Sequence, residues 1–377
     1  MAFDVVILGG GPAGTATALS LIEHQPSLSI AIVEASEYDR PRIGETLPPI
    51  AQPLLQQLQV WERFSNDHHL AAYGTCSAWG SDELLDNEFI YHPHNRGWHL
   101  DRRCFDAMLA EEAVKRGVTL YTASTLLNSR KSEDDQWQLT LQGKDKREAR
   151  MAAAFVVDAT GRRAVFARQQ GARKVRLDQL LGVFVFFNQA GGQPLTDSYT
   201  LVEACEEGWW YWALIPDARI VVACMSDADI VKKQKLKSSA QWFAWLNRTR
   251  YVRGRLSHAA PLTRPAVQAA YSYRLDKMVG EGWLAAGDAA TTFDPLSSQG
   301  IFKALRSGIL ASYAILDYFK GNRSGLERYE AALMQEYESY LETRLEYYSQ
   351  ERRWPHSPFW QRRHDRSSAV PLTLVLK

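Results

Sequence analysis

Residues 3–14 read FDVVILGGGPAG, and the order of residue types in this stretch decides the fold. Phe3 to Leu8 is an apolar run of the length expected for a buried parallel strand. Gly9 to Gly14 forms a turn, and Thr15 to Glu23, rich in Ala and Leu, reads as a helix. Gly9, Gly11 and Gly14 fit the spacing GxGxxG: the first for the tight turn, the second so that a pyrophosphate can approach backbone, the third for close packing of helix on strand. With Pro12 and Ala13 between them they form a candidate phosphate cradle at a helix N-terminus. The next strand, Ser29 to Val33, ends in Glu34, twenty residues beyond Gly14, where a carboxylate can accept hydrogen bonds from a ribose with a free 2′-hydroxyl.

The rest of the composition narrows the class. A chain of 377 residues has room for about two structural units, at roughly 100–200 residues per domain. With 44 basic and 43 acidic residues the net charge is +1, which gives no bulk electrostatic reason to expect nucleic acid or an anionic membrane as partner. Cys76, Cys104, Cys205 and Cys224 show neither CxxC nor Cys/His spacing, so no disulfide framework and no metal site is expected. The opening apolar run lacks a basic flank and a cleavage site, and no stretch approaches the ~18 apolar residues of a membrane span; a cytoplasmic location is expected. Twelve tryptophans are many, and hint at a binding cavity walled by rings.

A second glycine–acid turn stands near the other end of the chain. Trp283 to Ala286 reads as a short buried strand, followed by Gly287 and Asp288, then DPLSSQG at 294–300 and an amphipathic helix from about Ile301 to Phe319. Between the two turns lie GWHLDRRCFD at 97–106, leading into a helix, and VVDATG at 156–161, a strand ending in Asp158 and Gly161. Together with RIGETLPP at 42–49 and GWWYWALIP at 208–216, these segments resemble the flavin monooxygenase and tryptophan halogenase superfamily over most of the chain.

That resemblance implies an α/β fold. A p-hydroxybenzoate-hydroxylase-like FAD-binding domain with a Rossmann-type βαβ unit would be built from 1–79, 98–178 and 268–330. An antiparallel-sheet substrate domain would comprise 80–97 and 179–267, and 331–377 would be a C-terminal helix and a tail rich in Trp and Arg. FAD would be held by the first cradle, by Arg42, Gly44, Arg102, Asp158 and Gly161, and by Asp288, Pro295, Ser298 and Gly300. Physically, Asp288 can accept from ribityl hydroxyls, and the helix after Gly300 can place its positive end near the flavin carbonyl where charge gathers on reduction. Arg102 fits equally a solvated charge at a helix start.

Four strand-like runs, 181–188, 198–203, 209–215 and 219–225, predict the antiparallel sheet. The two-residue period puts Trp210 and Trp212 on one face and Trp209 and Tyr211 on the other. One face would roof the pocket over the flavin, with Trp209, Trp210, Tyr211, Trp212, Phe184 and Phe186 as candidate substrate contacts; the alternative is that these rings only cover a hydrophobic cluster. The helical segment 324–348, with its Glu, Arg and Tyr, reads as an exposed surface helix. ERRWPHSPFWQRRH at 351–364 reads as a strap returning to its own domain or as a docking surface.

For the chemistry, the resemblance implies a monooxygenase. NAD(P)H would reduce FAD, O2 would add at the flavin C4a position, and the resulting hydroperoxide would oxygenate an electron-rich aromatic ring. Halogenases of this type carry a lysine soon after the GE segment; here no lysine occurs before Lys115, and WYWALIP has one residue more than their WxWxIP, which disfavours halogenation. The combination of GETLPP, SAWGSDEL at 77–84, GWHLDRRCFD and the tail is most similar to the LodB- and GoxB-type flavoproteins that mature quinone-cofactor oxidases. The implied substrate is a tryptophan on an immature oxidase protein, hydroxylated on the way to cysteine tryptophylquinone. A reductase of the geranylgeranyl reductase type and a flavin-bearing maturation chaperone are the alternatives. His92, His94, His99 and Glu45 are the candidate proton-moving residues.

Overall fold

The computed structural model describes residues 1–189 and 198–365; the parts of the predicted substrate domain and tail at 190–197 and 366–377 lie outside the described residues. The strand Ala2–Leu8 is central in a sheet of order Val279–Gly280, Trp283–Ala285, Glu148–Asp158, Ala2–Leu8, Ile30–Val33, Thr119–Tyr121. Its core is parallel: Leu8 lies opposite both Asp158 and Val33, and Asp158 opposite Ala285. The glycine turn, Glu34, the 158–161 turn and the 286–288 turn therefore all leave the sheet at the same edge, the place where open α/β sheets bind ligands. Thr125–Lys131 and Trp137–Gln142 extend Glu148–Asp158 as an antiparallel flap.

Two helices lie on this sheet, Pro12–His24 and Gly300–Phe319, and both begin at the ligand edge. They cross closely because Gly308 offers no side chain: a Cβ there would lie 2.4 Å from the Ala13 carbonyl oxygen. Ser20 and Ser312 hydroxyls meet across the crossing at 2.7 Å.

The second sheet runs Ala259–Pro261, Leu180–Gln189, Arg219–Asp227, Gly208–Ile215, Tyr199–Cys205, Gly74–Ala78, Leu85–Glu88. Its four central strands are antiparallel, as the alternating pattern predicts. Gly74–Ala78 joins it in parallel with Tyr199–Cys205, so this sheet recruits a strand from within 1–79, and Ala266–Ala269 pairs with Leu180–Gln189 across the expected boundary at 268.

The C-terminal segment differs most from its sequence reading. The helix Ser324–Gln350 is not a surface helix: Leu326, Tyr329, Leu333, Tyr337, Tyr340 and Tyr348 form a buried stripe at helical spacing. The tyrosines masked the stripe, because a ring with a hydroxyl serves on either a wet or a dry face. After it, Phe359 and Trp360 are fully buried against the second sheet, and Arg363 pairs with Asp227 at 2.8 Å. The tail is a strap. No helix among the described residues is long and apolar enough to cross a membrane.

Candidate active site

A cavity of about 870 Å³ lies between the ligand edge of the first sheet and one face of the second. Every residue assigned above to the cofactor lines it except Gly14 and Asp158. Gly9 and Gly14 are forced by packing: a Cβ on Gly9, whose φ is +112°, would lie 2.1 Å from the Ala159 oxygen, and one on Gly14 would lie 1.9 Å from the Gly9 oxygen. Gly11, Gly161 and Gly300 are the converse, with nothing within 4 Å of where a Cβ would be. Space kept clear before three glycines at the mouths of three turns is what backbone contact with a long dinucleotide requires. The residues present fit FAD.

Glu34 lies on the wall of the cavity beside the glycine turn. Its carboxylate accepts from the Gly10 amide at 2.8 Å, the Ser36 amide at 3.0 Å and hydroxyl at 2.5 Å, and Arg42 at 2.9 Å. Burial opposes its charge, but these donors hold its pKa below the ordinary value. Arg42 also binds Asp106 at 2.9 Å, and Arg102 grips the two oxygens of the same Asp106 at 3.0 Å each while donating to the Gly44 carbonyl at 3.1 Å. Arg102 is thus fixed at the cavity wall and is not a solvated helix-start charge. Asp106, fully buried, is the residue that the sequence reading missed; its one signal was the i,i+4 spacing from Arg102.

Asp158 corrects the expectation. One oxygen accepts from the Thr160 amide and hydroxyl at 3.0 and 2.6 Å, the other from the Ala167 amide at 2.8 Å, so the carboxylate builds the 159–161 turn and does not face the cavity. Asp288 does face it, held by the buried Lys303 at 2.9 Å with Arg162 3.7 Å away. Burial works against its charge, and the Lys303 and Arg162 cations bring its pKa below the usual carboxylate value.

The part of the cavity against the second sheet, where the substrate was expected, is roofed by Gly182, Phe184, Tyr211, Val221, Ala223 and Met225. Of the rings proposed for this role, Phe184 and Tyr211 line it. Trp210 and Trp212 point to the opposite face, into the core with Trp242; Trp209 donates to the Tyr348 hydroxyl at 3.1 Å; and Phe186 packs with Ala213, Ile215 and Val221. Among the described residues no indole lines this cavity, because Trp210 and Trp212 fill the core behind it and Trp209 is engaged by the C-terminal helix.

Glu45 is the one of the four proton-moving candidates on the cavity wall. It is 4% exposed and accepts from the Gly44 amide at 2.7 Å; burial pushes its pKa up, against hydrogen bonding from Tyr211. The Tyr211 hydroxyl, 3.0 Å from that of Thr46, also meets Thr200. Thr200 in turn lies 2.9 Å from Nε2 of His99. His99 is fully buried and its pKa is lowered to about 4, so it stands behind the wall as a neutral ring. His92 and His94 pair with each other on a partly exposed loop off the cavity.

The profile of the tryptophan halogenase family matches residues 4–81 and 66–376. The chain belongs to this family. It is 30% identical over 365 residues to the FAD-dependent oxidoreductase LodB of Marinomonas mediterranea, covering 96% of this chain and 97% of that one. A pyrrole-2-carbonyl-carrier-protein chlorinase of Pseudomonas fluorescens is 26% identical over 384 residues, covering 92% of this chain and 83% of that enzyme. Among solved structures, the fold matches the myxobacterial chondrochloren halogenase CndH, with a TM-score of 0.87, 21% identity and coverage of 96% and 86%. It also matches QhpG, a peptidyl tryptophan dihydroxylase essential for tryptophylquinone cofactor biogenesis, with a TM-score of 0.72, 23% identity and coverage of 96% and 79%. The protein is a FAD-dependent oxidoreductase of the halogenase superfamily.

Proposed function

We propose that this protein is a FAD-dependent monooxygenase that places oxygen on an electron-rich aromatic ring, and that the ring is a tryptophan side chain carried by an immature quinone-cofactor oxidase. The observation that carries the reading is the character of the substrate wall: a buried carboxyl, Glu45, beside a tyrosine hydroxyl, and no lysine among the described residues lining the cavity. Halogenation, suggested by the names of several relatives, calls for an ammonium that can hold an oxidised halide. The buried Lys303 is committed to Asp288 and to the Thr291 carbonyl.

Bound FAD, reduced by NAD(P)H, would activate O2 and deliver one of its oxygen atoms to the ring, the other leaving as water. The chain's own residues do the rest. Gly11, Gly161 and Gly300 would let backbone approach the cofactor, Glu34 and Asp288 would accept from its hydroxyls, and the N-terminus of Gly300–Phe319 would offer it amides. Phe184, Val221, Met225 and Phe293 form a wall that excludes water. When oxygen bonds to a ring carbon, that carbon must release a proton to regain aromaticity. Glu45, whose raised pKa makes it a stronger base than a free carboxylate, is placed to take it, with Tyr211 orienting the receiving oxygen.

The fold shared with QhpG, a peptidyl tryptophan dihydroxylase, supports a protein-borne tryptophan as substrate. The test is to incubate the FAD-loaded protein with NAD(P)H, air and an unmodified partner oxidase, with and without bromide, and to read the product by peptide mass spectrometry. Oxygen on tryptophan, unchanged by bromide, is expected; bromine on an aromatic ring would replace this reading with the halogenase one.

A further inference from the structure

The helix Ser324–Gln350 carries Tyr340, Arg344 and Tyr348 one turn apart, and this face grips the loop that leads into the flavin end of the cavity. The Tyr340 ring stacks on Phe293 with centroids 4.2 Å apart and planes 3° from parallel. Its hydroxyl accepts from the Asp294 amide at 2.8 Å and meets the Ser272 hydroxyl at 2.6 Å. Tyr348 donates to one Asp294 oxygen at 2.8 Å, while the other oxygen accepts from the Leu296 amide at 3.0 Å. Arg344 lies over the Tyr348 ring and pairs with Asp178 at 3.2 Å and Asp294 at 3.5 Å. Asp294 is 1% exposed and Tyr348 fully buried, so water cannot substitute for these bonds.

The gripped loop is strained. After the short turn Pro295–Ser297, Ser298 has φ of +51°, a left-handed conformation that a non-glycine residue keeps only where its surroundings over-determine it. Phe293, Asp294, Pro295, Ser298 and Gly300 all line the cavity. On its other side the Tyr348 hydroxyl receives the indole N–H of Trp209, from the sheet that roofs the cavity. One hydroxyl thus joins the C-terminal helix, the flavin loop and the substrate sheet.

We propose that Tyr348 is a positioning residue for the flavin: through Asp294 it sets the 293–300 loop against the cofactor, and through Trp209 it couples that setting to the substrate sheet. The proposal rests on FAD occupying this cavity. It gives the C-terminal helix a part in tuning the cofactor, beyond closing the core.

The test compares wild type with Tyr348→Phe and Tyr337→Phe in FAD dissociation constant, visible flavin bands and midpoint potential. Tyr337 is on the same helix and also buried, but its hydroxyl makes no hydrogen bond among the described residues. Tyr348→Phe removes the hydrogen bond to a buried Asp294 oxygen and leaves it only Arg344 at 3.5 Å, so FAD dissociation should rise about tenfold or more, with shifted bands and potential. Tyr337→Phe should leave all three readouts at wild-type values. Should Tyr348→Phe fail to fold, Asp294→Asn disturbs the same bond from the loop side and should shift the bands and potential of a folded protein. Wild-type values for all three readouts in the folded Tyr348→Phe protein, or failing that in Asp294→Asn, would overturn the proposal. A wild-type protein that takes up no FAD would instead strike the flavin reading itself, and this one with it.

Discussion

The strand Gly208–Ile215 presents two faces with opposite uses. On one, Trp210 and Trp212 are buried to within 1% and pack into a core with Trp242, Phe187 and Val183; the Trp210 and Trp242 rings meet edge to face at 5.2 Å. On the other, Tyr211 projects beside Ala223 and shares a wall with Gly182 and Val221. Large rings fill the space they reach, so the face that carries them has no room for a ligand. Small neighbours leave the room, and the one ring among them with a hydroxyl is left beside Glu45. A surplus of tryptophan therefore marks how the sheet is held, and the glycine and alanine opposite mark where it works.

The contrast can be broken by variants on either face. Trp212→Ala should cost about 3–5 kcal/mol of stability by chemical denaturation, the usual range for emptying a large aromatic site; a loss below ~1 kcal/mol would mean that the filled face is not packed as described. Glu45→Gln should slow oxygenation about 10²–10⁴-fold. Its melting temperature should not fall, because an amide replaces a carboxyl whose charge burial disfavours; a large loss of stability with unchanged turnover would make Glu45 structural.

Behind the working face, His99 gives stability a pH dependence. Its folded pKa of about 4 lies below the ordinary 6.5, so the folded protein binds fewer protons than the unfolded chain. Its contribution is complete above pH 6.5 and is lost at about 1.4 kcal/mol per unit as pH falls toward 4. Urea titrations of wild type and His99→Gln between about pH 7 and 5 should diverge in slope; parallel curves would place the ring in a wetter setting. The smallest stability effect is expected for Tyr211→Phe, within ~1 kcal/mol of wild type, while the pH profile of turnover moves because Glu45 loses its donor.

Legibility in the sequence followed locality. The ligand edge of the cavity was readable because Gly9, Gly11 and Glu34 stand at fixed spacing within one βαβ unit, and Asp288 and Gly300 within one turn and the helix after it. The antiparallel sheet was readable from alternation. Which face of it held the cavity was not, because that depends on what covers each side, and the covering groups, Trp242 and Trp360, come from helices outside the sheet. Asp158 was misassigned for a related reason: an acid at a strand end can serve a ligand or its own turn, and Thr160 decided the matter locally. Asp106 and Tyr348 escaped because each acts through contacts made only in the folded chain.

In the proposed function, the cavity between the two sheets uses FAD to transfer oxygen to an aromatic ring. Turnover under isotopically heavy dioxygen, with NAD(P)H and the partner oxidase, tests it most directly. Heavy oxygen recovered on a tryptophan of the partner, and absent from the Glu45→Gln reaction, is the predicted result. A partner carrying only oxygen from water, or none at all while the flavin is reduced and reoxidised, would contradict it.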